Sequence, residues 1–137
     1  MRAVWVGLVV LALGTGVALH AAEPAPDSLV TNMKALNTAM MAVRTAVTGG
    51  DFAGAEKQGV ALEALLKTNA AFWKGRKATA PLVHAEVAGK AAGELTAAAK
   101  GKNEAGVAAA QKALNASCGA CHTAHREHTP DGKYAIK

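Results

Sequence analysis

Cys118-Gly119-Ala120-Cys121-His122 stands near the end of the last predicted helix and contains both cysteines of the chain. A C-x-x-C-H run is the attachment signal for a c-type haem: two thiols add to vinyl groups and the adjoining histidine binds the iron. On a helix, at about 100° per residue, the three side chains fall within roughly 100° of arc and face one side. A planar macrocycle can then be held at two edge points while the imidazole reaches its centre. Two cysteines and five histidines scattered at random produce this pentapeptide in about one chain in 2,000. Two other chemistries use the same residues. A redox disulfide expects a strand-to-helix setting, and a long Ala-rich helix surrounds these cysteines. A zinc site from Cys118, Cys121, His122 and His125 or His128 crowds its ligands onto two helical turns, which seldom close a tetrahedron. Haem is the reading carried forward.

An iron held by His122 has a second axial position, so the elements that could supply a ligand matter next. After a Pro-containing lead-in with Asp27 or Ser28 as cap, Leu29, Met33, Leu36, Met40, Val43 and Val47 recur at alternating steps of four and three. This heptad seam defines a first helix, and Gly49-Gly50 stops it. Asp51 caps a second helix over roughly 52–70 with Leu62, Leu65 and Leu66 on its apolar face, and Phe72 and Trp73 close that segment. Lys74 to Ala80 reads as a basic connector. Pro81 opens a third helix to about Lys100, with Val83, Val87 and Leu95 on its inner side. Asn103 caps a fourth, whose stripe is Val107, Leu114, Cys118, Cys121 and His125. Thr129 to Lys137 is a tail with a turn at Pro130-Asp131-Gly132, where Tyr134 and Ile136 can fold back.

Four helices with short links predict an all-α fold, an antiparallel up-down-up-down four-helix bundle with haem at one end. In that topology His122 lies about 9 Å from the end of the fourth helix at 1.5 Å per residue. Met33 lies at nearly the same depth in the first helix, and Met40 about 10 Å farther along. Met33 is therefore the candidate sixth ligand; a core methionine at a heptad position is the other reading. His84 falls at this end too, on the flank of the third helix, as a partly exposed histidine with no iron role, a hydrogen-bonding partner of a propionate or a competing ligand. His125 is expected to pack or hydrogen-bond, and His128 to face solvent. Arg126 could offset propionate charge; Lys74, Arg76 and Lys77 could do so too, or be simply solvated. Trp73 reads as a lid.

Composition agrees with a missing apolar filler. Alanine makes up roughly a quarter of the chain and aromatics 4%. Small side chains let helices approach closely yet bury little area at ~25 cal/mol per Å². The formal net charge of +5 is modest and no basic run interleaves with aromatics, so nucleic acid is not an expected partner. Residues 1–22 read as a secretory signal: Arg2, an apolar run from Val4 to Leu13, and a small-residue end at Ala18 to Ala22 with cleavage after Ala21 or Ala22. An uncleaved anchor is the alternative. Export to a bacterial periplasm is the expectation, leaving 23–137 as one domain.

Taken together, Cys118-Gly-Ala-Cys121-His122 followed by Arg126, the run Met33-Lys34-Ala35-Leu36 with Met40 seven residues on, and the haem motif on the last of four helices resemble class II cytochromes c. This is the cytochrome c′ family with its methionine-ligated low-spin members. The resemblance implies a four-helix bundle, one covalent haem c, His122 as proximal ligand and, as an option, pairing of two chains through the first two helices. Three departures stand out: His125 where the family commonly has an aromatic residue, a compact middle, and the Thr129–Lys137 tail. The expectation is one-electron transfer with redox partner proteins and no catalysis. A five-coordinate haem binding nitric oxide or carbon monoxide is the alternative. A peroxidase would need a distal acid/base pair, and the seam near Met33 offers only apolar groups and Asn32 or Asn37.

Overall fold

A computed structural model describes residues 22–137; the expected signal segment 1–22 lies, apart from Ala22, outside the described residues. Four long helices, α1 (Asp27–Thr48), α2 (Phe52–Gly75), α3 (Thr79–Lys100) and α4 (Glu104–His125), pack against each other as a four-helix bundle. Each link between them is three residues long, and its middle residue has positive φ: Gly50 at 70°, Lys77 at 56° and Lys102 at 52°. Asp51 and Asn103 cap α2 and α4 as expected, accepting from the Gly54 and Gly106 N–H groups at 2.8 and 3.0 Å. α1 departs from expectation: it begins at Asp27 after Pro26, with no side-chain cap.

α2 also differs from its sequence reading. It continues through Phe72 and Trp73 to Gly75, leaving only Arg76–Ala78 as connector. The buried stripe Leu62, Leu66, Asn69, Trp73 explains why. Its spacing is helical throughout, and one polar member, Asn69, interrupts the apolar pattern that would have marked it. In α3 the inner face is Pro81, Ala85, Ala88, Ala92, Leu95 and Ala99, whereas Val83 and Val87 are about half exposed. Small residues won the interior because backbones can approach closely there. Gly59 of α2 shows how closely: a Cβ added to it would meet Thr96 Oγ1 at 2.5 Å and Leu95 Cδ2 at 3.0 Å. The main core runs from Val43 through Leu62, Leu95, Val107 and Leu114, all buried essentially completely.

The fold is not purely helical. α4 ends at His125, three residues short of the expected boundary, and the chain turns into β1–β3–β2, a small antiparallel sheet of Glu23–Pro24 (β1), Tyr134–Ile136 (β3) and Arg126–His128 (β2). The tail thus folds back as anticipated, but as a strand between the two ends of the domain. Ala135 is buried, and Ile136 joins Leu29, Trp73 and Ala85 in a second apolar cluster. The Lys137 N–H donates to the His125 carbonyl and the Ala25 N–H to that of Tyr134. Among the described residues no helix is long and apolar enough to cross a membrane.

The close α2–α3 seam is testable by chemical denaturation. Gly59→Ala should destabilise by about 1–3 kcal/mol through overpacking. Gly89→Ala, in helix α3 with open space around the added methyl, should stabilise by about 0.5–1 kcal/mol.

Candidate functional site

α1 packs on α2, α2 on α3 and α3 on α4, but α1 and α4 form no comparable seam. The opening between them is a cleft with two lobes. The outer lobe has a volume of about 500 Å³, within the range of small-molecule and cofactor sites. Leu29 and Met33 of α1, Trp73 of α2, Cys121 and His122 of α4, and Tyr134 to Ile136 of β3 form its walls. The inner lobe, about 160 Å³, lies against Met33, Leu36, Met40, Leu66, Asn69, His84, Cys118, Cys121 and His122 among others. Met33, Asn37, Cys121 and His122 border both.

Every expected site residue therefore lines one cleft: Cys118, Cys121 and His122 from α4 and Met33 from α1. Helical spacing aligns the three on α4. The missing α1–α4 seam leaves space beside them. Burial pushes both thiols above the ordinary cysteine value, and for Cys121 the neighbouring Cys118 adds to this. Both are free and so are thiols at neutral pH. Burial, and then the nearby Arg126 guanidinium, push the His122 imidazole down, so at neutral pH it is uncharged, the form that binds a metal. His125 is lowered by burial, then by His84 and Lys137.

The histidine pair belongs to one neighbourhood: the rings of His84 and His125 are 6.0 Å apart, with His84 on the inner lobe and His125 on the outer. His128 is exposed, its ring 4.7 Å from that of Tyr134. Among the described residues no three His, Cys, Asp or Glu side chains are grouped to hold a metal ion, so the zinc arrangement finds no geometry here. Arg126 lines the outer lobe and lies over the Tyr134 ring at 5.3 Å. The connector cations behave differently: Arg76 is ion-paired to Glu23 and lies over the Phe72 ring, and Lys74 and Lys77 are exposed away from the cleft lining. Lys34, not singled out from the sequence as a cation, lines the outer lobe.

Two further residues line the cleft, one set aside by the sequence reading and one missed by it. Met40 lines the inner lobe with His122 despite its heptad offset. Sharing the lobe does not require equal depth, because its lining extends along α4 from Asn115 to His122. The second is Asn69, buried on α2, whose Oδ1 accepts from Trp73 Nε1 at 3.1 Å. Trp73 is thereby fixed as a wall of the outer lobe, as a lid reading requires. The signal for Asn69 was its helical phase with Leu62, Leu66 and Trp73.

The donor set suits a haem: two thiols and a neutral imidazole on one helix face, thioethers opposite, apolar walls, and cations at the outer lobe. Compared with known proteins, the chain matches no family model, no curated protein and no solved structure.

The Trp73–Asn69 pair generates a double-mutant prediction. Trp73→Phe leaves Asn69 Oδ1 buried without a donor and should cost about 1–3 kcal/mol. Asn69→Leu should cost a similar amount by orphaning the indole N–H. The double variant should cost clearly less than the two singles together in urea denaturation; simple additivity would show that the pair is not coupled.

Proposed function

We propose that this chain is an exported, periplasmic monohaem c-type cytochrome of the class II kind that carries single electrons between redox partner proteins. The observation that carries the reading is the meeting of Cys118, Cys121 and His122 with Met33 at one apolar cleft between α1 and α4. The bundle is read as antiparallel, up-down-up-down, with the haem at the end that holds the sheet. Three-residue links support this order. So do the hydrogen bonds from Asn32 Nδ2 to the Leu65 carbonyl and from Ser117 Oγ to the His84 carbonyl, each joining the second turn of one helix to a residue just past the middle of its neighbour.

When bound, the haem supplies a one-electron Fe(III)/Fe(II) couple. The protein's share is positional and electrostatic. Cys118 and Cys121 would hold the macrocycle through thioether bonds, His122 would bind its iron, and Met33 would be the candidate second ligand of that iron. Leu29, Trp73 and Ile136 keep water from the outer lobe, while Lys34 and Arg126 offset the charge of two propionates. A second reading, a five-coordinate haem that takes up nitric oxide or carbon monoxide, draws support from the separate inner lobe beside His122. No catalysis is proposed.

Mass spectrometry of protein exported from a cell that matures c-type cytochromes should give the polypeptide plus one haem; the bare polypeptide mass would overturn the reading. A low-spin iron with a methionine–iron charge-transfer band, lost in Met33→Ala, is the expected spectrum. A high-spin ferric iron unaffected by Met33→Ala favours the gas-binding reading instead. Because the cleft breaks the fourth seam, the Cys118→Ala/Cys121→Ala chain is expected to be mostly unfolded. A cooperative native-like melt of that variant would contradict the filling role of the cofactor.

A further inference from the structure

We propose that the hairpin β2–β3 is a hinged strap, which swings away from β1 while the four helices stay packed and so controls entry to the outer lobe. Its fastening is uneven. β2 and β3 share three residue pairs, Arg126 with Ile136, Glu127 with Ala135 and His128 with Tyr134, and the Lys137 N–H extends the ladder to the His125 carbonyl at 3.1 Å. The turn between them is closed by bonds of its own. The Thr129 N–H donates to the Lys133 carbonyl at 3.0 Å, the Gly132 N–H to the Thr129 carbonyl at 2.9 Å, and the Lys133 N–H to Thr129 Oγ1 at 3.1 Å. β1, by contrast, holds β3 by two pairs, Glu23 with Ile136 and Pro24 with Ala135, and by the Ala25 N–H on the Tyr134 carbonyl at 3.0 Å. One member of that short seam is a proline, which has no N–H to give. β1 is also tied elsewhere, since Glu23 is ion-paired with Arg76 of the α2–α3 link. The weak seam therefore runs between β1 and β3. Arg126, the first extended residue after α4 at φ −116° and ψ 137°, is the pivot.

The packing of the hairpin is as thin as its fastening. Its main chain lies against β1 and the end of α4. Toward the rest of the bundle it offers chiefly Ile136, half-buried with Leu29 and Trp73, and the small buried Ala135. The residues of β2 are exposed, as are both residues of β1. A segment with little buried apolar area and exposed backbone hydrogen bonds opens at lower cost than a packed helix. The helices are held by wholly buried side chains, Val43, Leu62, Leu95 and Leu114 among them. Tyr134, Ala135 and Ile136 wall the same lobe as Leu29, Trp73, Cys121 and His122. A closed hairpin covers that side of the lobe, and an open one removes the wall and lets solvent in. On the haem reading given above, the strap then sets how readily a solute reaches the macrocycle edge; the hinge itself does not rest on that reading.

Hydrogen exchange followed by NMR on the purified full mature chain tests the hinge. The Ala25 amide, whose acceptor lies across the weak seam, should exchange about 100-fold faster than the amides of Leu62 and Leu95. Pro24 and Ala135 stand directly opposite each other, the placement that a disulfide needs. Linking them through Pro24→Cys/Ala135→Cys should slow the Ala25 amide about tenfold and leave Leu62 and Leu95 unchanged. Ile136→Ser should speed it, again without moving those two. Entry to the lobe is read by reduction of the ferric protein with ascorbate. The linked variant, its disulfide and haem content checked by mass, should be reduced about tenfold more slowly than Pro24→Ala, and Ile136→Ser faster than either. The ascorbate arm rests on the haem reading and the exchange arm does not, so a chain of bare polypeptide mass sinks that reading and leaves exchange to decide the hinge. An Ala25 amide as protected as those of Leu62 and Leu95, a link that slows it no further, or equal ascorbate rates in linked and unlinked protein overturns the proposal.

Discussion

A bundle of alanine-rich helices gains its cohesion by close approach, because each methyl removes little apolar area and the backbones must come near to make that area count. Three successive helix pairs of this chain satisfy the condition, and Gly59 against Thr96 and Leu95 shows how little room remains in the tightest of them. The fourth pair, α1 with α4, does not. Long side chains (Met33, Met40 and His122) stand where small ones close the other seams, and the result is a cleft in place of an interface. The whole proposed chemistry follows from that one unclosed seam: it gives the α4 cysteines and histidine something to face.

The ends of the chain then finish what the bundle leaves open. β1 and β2 flank β3, so the lead-in and the tail are tied to each other across the top of the outer lobe. Ala135 and Ile136 contribute apolar wall, while Lys137 anchors the strand through the carbonyls of Thr123 and His125. Lys34, Arg126 and the Tyr134 ring line the outer lobe, Arg44 lines the inner one, and the inner lobe has one buried amide, Asn69, fixed in orientation by an indole.

Much of this was legible in the residues alone. C-x-x-C-H states its chemistry through spacing, since three side chains on one helix face need no tertiary information to be aligned. The helix count, the Gly49-Gly50 stop and the Asp51 and Asn103 caps are local signals of the backbone, and they held. Three things were not decided by local pattern. Val83 and Val87 looked like core because they are the most apolar residues of their segment, but interior rank in an alanine bundle goes to the residue that lets a neighbour approach. Asn69 carried only its helical phase with Leu62 and Leu66, and its burial depends on a partner, Trp73, one turn later. The strand character of Arg126–His128 depends on β3, which pairs with it only after the turn at Thr129–Lys133 brings it back.

Sequence by itself determined which atoms are available: two thiols, an imidazole and a thioether seam, each aligned by the 3.6-residue period of its own helix. Tertiary structure decided what those atoms share. The width between α1 and α4 and the division of the cleft at Met33 and His122 both depend on how far apart two distant helices come to rest. That separation is set by the packing of every other seam in the bundle, a sum over many small contacts that no single stretch of residues encodes.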